Sequence, residues 1–104
     1  MTLREQQSKF AHLTAYLILY IYQRGYEMTY GDAWAHPADM RHIRNSKHYD
    51  RLALDINLYR NGRWLKKTEE YSEVGEYWKS LDPECTWGGD FSDLDGCHFS
   101  YGEH

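Results

Sequence analysis

The pattern of apolar and polar residues predicts a long N-terminal helix over residues 3–23. Apolar side chains recur there at the three- and four-residue spacing of one helix face, and Gly25 is a suitable stop. The apolar positions of this face are Phe10, Leu13, Leu17 and Tyr20 or Ile21. Residues 13–22 form a continuous apolar run that is too short to span a bilayer. We therefore expect a core helix and no stable membrane insertion.

Alternation with a period of two predicts a half-buried strand over residues 52–59. Its apolar positions are Leu52, Leu54, Ile56 and Leu58. Asp55 lies between them, so its side chain would point to the opposite face. Asn61-Gly62 favours a type I′ hairpin turn that would return residues 64–65 as a partner strand. Shorter strands are expected over residues 26–30 and 98–100.

A second helix is predicted from Thr68 onward. Thr68 is a suitable N-cap, and the acidic residues Glu69 and Glu70 suit the positive end of the helix dipole. The apolar stripe consists of Tyr71, Val74, Trp78 and Leu81, and Pro83 follows its end. We expect Glu73 and Glu76 on the solvated face of this helix. Residues 101–104 are expected to form a frayed tail.

These elements predict one α+β domain over residues 1–104. The length of 104 residues fits a single domain. The helices would pack on one face of a small, mainly antiparallel sheet. A site built around Asp55 would then lie on the other face of the sheet.

The charge and the cysteine content limit the binding partners and the cellular compartment that we expect for this protein. Twelve basic and sixteen acidic residues give a net charge of −4 without a basic run, which argues against nucleic acid as a partner. Cys85 and Cys97 match no zinc-knuckle spacing; a disulfide is one alternative, and two free thiols are the favoured one. No small-x-small cleavage site follows the apolar run, so we expect a chain made in the cytoplasm.

Two segments supply candidate metal ligands. His48 and Asp55 lie in the first, and Asp95 and His98 lie in the second. Two histidines and one carboxylate can hold a zinc ion and leave a fourth position for water, while a further carboxylate can act as a base. Taken singly, His48 is equally compatible with a hydrogen-bonded surface histidine, and Asp55 with a solvated strand aspartate.

The spacing of His48 and Asp55 requires a turn between them. In one straight strand they would lie roughly 23 Å apart on opposite faces. In one helix they would lie roughly 10 Å apart along the axis. Neither separation allows both to contact one ion, so the chain is expected to turn back around Asp50-Arg51.

The order Ser46-x-His48-x6-Asp55, followed later by Asp95-x-x-His98, resembles the zinc peptidases that cleave peptidoglycan stem peptides. This family of D-alanyl-D-alanine carboxypeptidases and L-alanyl-D-glutamate endopeptidases includes many phage endolysins. Its pattern Ser-x-His-x-x-Gly-x-Ala-x-Asp is matched at Ser46, His48, Ala53 and Asp55, whereas Arg51 stands at the glycine position. The resemblance extends from residue 25 to residue 100.

The resemblance implies a zinc peptidase in which His48, Asp55 and His98 bind the metal and Asp95 is the general base. Ser46 would orient a metal ligand. The favoured activity is that of an endolysin-like L-alanyl-D-glutamate endopeptidase acting on the bacterial cell wall as a monomer. A D-alanyl-D-alanine carboxypeptidase or dipeptidase is the first alternative. A catalytically silent, zinc-stabilised binding module is the second.

One departure from the family concerns an arginine that is thought to help hold the oxyanion or the substrate. Related enzymes often carry it in a Gly-(Asp/Glu)-Ala-Tyr-Arg segment, and the corresponding residue here is Ala35. Either Arg44, Arg41 or Arg51 replaces it, or the substrate is handled differently; Arg44 is preferred because it precedes Ser46 by two residues. Trp87 and Tyr49 could line the substrate groove, although a place in the aromatic core is the commoner fate of such residues.

Overall fold

A computed structural model describes residues 1–31 and 50–102 of the protein. The elements in chain order are helix α1 (Leu3–Gln23), strands β1 (Glu27–Tyr30), β2 (Ala53–Arg60) and β3 (Arg63–Trp64), helix α2 (Ser72–Leu81), and strands β4 (Cys85–Trp87) and β5 (His98–Tyr101). All described strand pairs are antiparallel, in the order β1-β2-β5-β4, and β3 forms a hairpin with β2. The predicted α+β class is therefore confirmed.

Helix α1 has the predicted bounds, and its ends show why. Thr2 and Glu5 form a capping box, in which the Thr2 hydroxyl accepts from the Glu5 N–H and the Glu5 carboxylate accepts from the Thr2 N–H. The helix ends before Gly25, whose φ is 88°. Its buried side chains are Phe10, Leu13, Leu17 and Ile21. Neither helix in the described residues is long and apolar enough to cross a membrane.

The core lies between the helices and one face of the sheet. Leu54, Ile56 and Leu58 are buried on this face of β2, as the alternation predicted. Trp78 of α2 is fully buried, and its ring makes edge-on contacts with Phe10 and Phe99 at centroid distances of 5.9 and 6.4 Å. The helices and the sheet thus share one apolar layer.

The β2–β3 hairpin turns at the predicted residues. Asn61 and Gly62 have φ values of 55° and 77°, as a type I′ turn requires at both central positions. The two strands pair through Tyr59 with Trp64 and Arg60 with Arg63.

Helix α2 begins later than predicted, and Thr68 is not its N-cap. Residues Thr68–Tyr71 form a 3₁₀ helix, and α2 begins at Ser72. The Glu70 carboxylate accepts a hydrogen bond from the Lys67 N–H at 3.1 Å, so Glu70 caps the 3₁₀ turn instead of supporting a Thr68 cap.

The predictions for the last strands and for Glu73 were also wrong in part. Strand β4 was not predicted, because Cys85–Trp87 is too short to show a period of two. Tyr101 is buried in β5, where it pairs with Cys85, so it is not part of a frayed tail. Glu73 is not a free solvated residue, since it forms an ion pair with Arg24 at 2.7 Å.

Candidate metal centre

Strand pairing brings Asp55 and His98 together. They are directly opposite each other in the antiparallel β2–β5 ladder, so their side chains emerge on the same face of the sheet. Because Asp55 alternates with Leu54 and Ile56, this face is the one turned away from the helices. The distance between His98 Nδ1 and Asp55 Oδ1 is 3.9 Å.

A tight loop before β5 positions Asp95 beside this pair. The Asp95 N–H donates to the Gly88 carbonyl at 3.0 Å, and the His98 N–H donates to the Asp95 carbonyl at 3.1 Å. A Cβ on Gly88 would lie 2.0 Å from the Asp95 carbonyl oxygen and 2.8 Å from His98 Cβ. The loop can therefore approach this closely only because residue 88 has no side chain.

Asp55, Asp95 and His98 form a cluster that can hold a metal ion. One ligand atom from each residue lies within 4.8 Å of the ligand atoms of the other two. Asp55 is half-buried and His98 is buried, whereas Asp95 is exposed. The two more buried side chains are suited to direct metal binding. The exposed Asp95 is suited to contact with water or substrate beside the metal.

The chemistry of this donor set fits zinc. Imidazole nitrogen and carboxylate oxygen are both common zinc ligands. The two carboxylates carry like charges that repel at this distance, and a cation between them would turn that repulsion into attraction. In the described part of the chain, the buried atoms Asp55 Oδ1 and His98 Nε2 make no hydrogen bond, although both residues have other contacts.

Cys97 contacts the cluster through Asp95 and lies outside the ligand group. Its thiol donates to Asp95 Oδ1 at 3.2 Å. Burial, and then the charges of Asp55 and Asp95, raise the pKa of the Cys97 thiol to about 12, and its sulfur is not a member of the metal-binding group. Cys85 and Cys97 are both free thiols.

A groove of about 320 Å³ adjoins the cluster. Asp95 belongs to both, because it lines the groove and is a member of the metal-binding group. Other residues that line the groove are Trp64, Lys66, Thr68, Leu94 and Cys97. The volume lies within the range of small-ligand sites. This set of lining residues was not predicted, because residues 64–68 and 94–97 are distant in the chain.

A comparison with known families matches this part of the chain. A family model described as D-alanyl-D-alanine carboxypeptidase, one of the M15 peptidases, matches residues 41–101. The chain belongs to this family. No curated protein matches the chain.

The match to the M15 family includes strands β2–β5 and with them Asp55, Asp95 and His98. The chain is thus a member of a peptidase family with a candidate metal-binding group inside the matched region. Helix α1 and strand β1 precede the matched residues.

The structure brings together three of the residues predicted for the site: Asp55, Asp95 and His98. The predictions for Arg44, Ser46 and His48 concern residues 32–49, which lie outside the described residues. Trp87 is buried in the core, the more common of its two predicted places, and its indole N–H donates to the Gly96 carbonyl at 2.7 Å. It therefore supports the site loop from inside.

The backbone conformation of Arg51 explains why the family pattern has a glycine at this position. Residues 50 and 51 form the predicted turn, and Arg51 has a φ of 58°. Glycine adopts this left-handed conformation without steric cost, whereas other L-residues pay for it. The departure at position 51 thus keeps the backbone conformation for which a glycine is suited.

Proposed function

We propose that the protein is a zinc-dependent peptidase that cleaves peptidoglycan stem peptides. The proposal rests mainly on one observation: Asp55, Asp95 and His98 converge within 4.8 Å inside the region that matches the M15 family. The family supplies the reaction class, peptide hydrolysis. The cluster supplies the metal donors and a carboxylate that can move a proton.

Asp55 and His98 would bind the zinc ion, and His48 would complete the set of three protein ligands. Three protein ligands with one open position are the usual arrangement of a catalytic zinc site. When bound, zinc would lower the pKa of water toward roughly 7 and polarise the scissile carbonyl.

Asp95 would be the general base. Its exposure and its position beside the two proposed ligands allow it to take a proton from the attacking water and to donate that proton to the leaving amine. The Cys97 thiol, a weak donor, forms a hydrogen bond with the Asp95 carboxylate and favours one orientation of it.

Arg44 and Ser46 complete the proposal. Arg44 would stabilise the negative charge that develops on the carbonyl oxygen, and Ser46 would orient a metal ligand. Loss of one such positive charge should reduce turnover on the order of a hundredfold. Full activity of Arg44→Ala would assign the charge to another residue.

The scissile bond that we propose is L-alanyl-D-glutamate, as in the endolysins that the sequence resembles. The D-alanyl-D-alanine bond is the alternative, and the description of the matching family model supports it. In both cases the substrate is a stem peptide of the bacterial cell wall. We further propose that the protein is made in the cytoplasm and acts as a monomer.

The Asp95→Asn substitution tests the proposal. It preserves the size of the side chain and removes its basicity. We expect the variant to bind as much zinc as the wild type by elemental analysis. Peptide release from purified sacculi, followed by mass spectrometry, should fall roughly a hundred- to ten-thousandfold. Asp93→Asn is the matched control, because Asp93 is exposed two residues away and is not part of the metal-binding group.

Each other outcome has a distinct meaning. Loss of zinc from Asp95→Asn would make Asp95 a metal ligand. Retention of both zinc and activity would assign the base elsewhere. A wild type that binds zinc and releases no peptide from any sacculus would instead favour the silent binding module.

A further inference from the structure

The groove beside the metal-binding group is lined by both an acidic and a basic side chain. Asp95 belongs to the group and also lines the groove, while Lys66 lines the groove as well. Two exposed apolar side chains, Trp64 and Leu94, complete this part of the wall. A ligand with an apolar part and a negative charge would complement this surface.

Lys66 is held over an aromatic ring and carries a charge that is available to a ligand. Its Nζ lies 4.8 Å from the centroid of the Trp64 ring, within cation–π distance. Other cations, such as Arg63 and Lys79, form ion pairs with carboxylates. Within residues 1–31 and 50–102, Lys66 forms no ion pair.

The role of Asp95 determines which part of a substrate enters the groove. A general base that hands its proton to the leaving amine must lie next to the nitrogen of the scissile bond. The residue that contains this nitrogen therefore enters the space beside Asp95. That space is the groove that Lys66 also lines.

The two candidate bonds share one chemical feature at this position. In D-alanyl-D-alanine the second residue ends in a free α-carboxylate. In the stem peptide, D-glutamate continues the chain through its γ-carboxyl group and also keeps its α-carboxylate free. In both cases the residue that follows the scissile bond carries a negative charge close to the reacting nitrogen.

We propose that Lys66 binds the free α-carboxylate of the substrate residue that follows the scissile bond. The proposal rests on the proposed peptidase function and adds a specificity determinant to it. Trp64 positions the Lys66 ammonium, and the apolar wall receives the side chain of the same substrate residue. The groove would thereby exclude ordinary peptides, whose α-carboxyl groups are tied up in neutral amide bonds.

The test uses two probes, each with an amidated counterpart. The first is acetyl-D-alanyl-D-alanine and its C-terminal amide. The second is acetyl-L-alanyl-D-glutamate γ-amide and the corresponding diamide. Affinity is measured by NMR titration of zinc-loaded Asp95→Asn protein, which binds without appreciable turnover, with the Trp64 indole signal as the reporter. Rates are measured on protein that retains Asp95.

We expect at least one free-carboxylate probe to bind roughly tenfold more tightly than its amide, the size of a charge-assisted contact. Lys66→Met keeps the aliphatic stem and should abolish this preference. Lys66→Arg should retain most of it. Lys67→Met is the matched control, because Lys67 is an exposed neighbour that does not line the groove.

The results separate this proposal from the proposed function. The role of Lys66 is overturned if neither free-carboxylate probe binds more tightly than its amide. It is also overturned if the preference for the free carboxylate remains in Lys66→Met. The same follows if the Trp64 signal does not respond to either free-carboxylate probe. Carboxylate-dependent binding without cleavage by the Asp95-containing protein would support the subsite and contradict the peptidase function. The probe whose preference disappears in Lys66→Met identifies the source of the carboxylate.

Discussion

The carboxylate of Glu73 and the carboxylates of Asp55 and Asp95 have different neighbours among residues 1–31 and 50–102. Glu73 accepts hydrogen bonds from Arg24 at 2.7 Å and from Tyr26 at 2.9 Å. The hydrogen bond from the Arg24 guanidinium is the main reason why the pKa of Glu73 lies below its ordinary value. The protein itself supplies the positive charge that this carboxylate needs.

The Asp55–Asp95–His98 cluster instead contains two carboxylates and an imidazole within 4.8 Å. A carboxylate that is paired with a cation of the protein ties secondary-structure elements together, whereas carboxylates that converge with an imidazole offer ligands to a metal ion. This difference predicts that substitutions in the two clusters will have different consequences.

The largest effect is expected for His98→Ala. This substitution removes a proposed zinc ligand, and we expect zinc affinity to fall by more than about a hundredfold, with loss of peptide release. Metal titration by calorimetry measures the affinity. Unchanged zinc affinity would show that His98 is not a zinc ligand. Metal binding would then no longer distinguish the Asp55–Asp95–His98 cluster from the Glu73 cluster.

Gly88→Ala should disturb the Asp55–Asp95–His98 cluster indirectly, because it displaces the loop that positions Asp95. The added Cβ would overlap the Asp95 carbonyl oxygen, so we expect unfolding to become easier by about 2–3 kcal/mol and zinc to bind more weakly. Thermal unfolding and metal titration measure the two effects. Gly62→Ala is the contrast, because a Cβ there meets nothing within 4 Å. Its cost should be limited to backbone strain, without any change in zinc affinity.

Glu73→Gln should have a smaller effect that is confined to stability. The acceptor would become neutral, so the ion pair with Arg24 would be lost and the hydrogen bonds from Arg24 and Tyr26 would weaken, which should cost about 1 kcal/mol at this partly exposed position. The melting temperature would fall by several degrees, and zinc affinity should stay unchanged. A loss of zinc affinity in this variant would show that the two clusters are not independent.

The pH dependence of stability gives the smallest effect. Because the pKa of Glu73 is lower in the folded state, its contribution is present above its ordinary value of 4.5 and is lost as the pH falls through the lower folded-state pKa. The difference in unfolding free energy between wild type and Glu73→Gln should therefore be largest near neutral pH and should shrink below pH 4.5. Denaturant titrations across this range measure it, and a constant difference would assign the stabilisation to packing.

Local signals predicted the regular elements well. The bounds of α1 were predicted from its apolar spacing and from Gly25, whereas the Thr2 cap at its start was not predicted. The β2–β3 turn follows from Asn61-Gly62. The start of α2 was wrong because Thr68 and Glu70 offer competing caps, and the Lys67–Glu70 hydrogen bond prevails. Strand β4 was missed because it is short and exists through its pairing with β5.

The amino-acid sequence was enough to indicate the chemistry of the candidate site. The motif of Ser46, His48, Asp55, Asp95 and His98 resembles that of zinc peptidases, and its residue types are suitable as metal ligands and bases. Where Asp55, Asp95 and His98 meet is visible only in the folded chain. The β2–β5 register, the loop contact at Gly88, and the groove shared by Asp95 and Lys66 join segments that are far apart in the chain. Such contacts form through long-range pairing and packing, which local propensity does not encode.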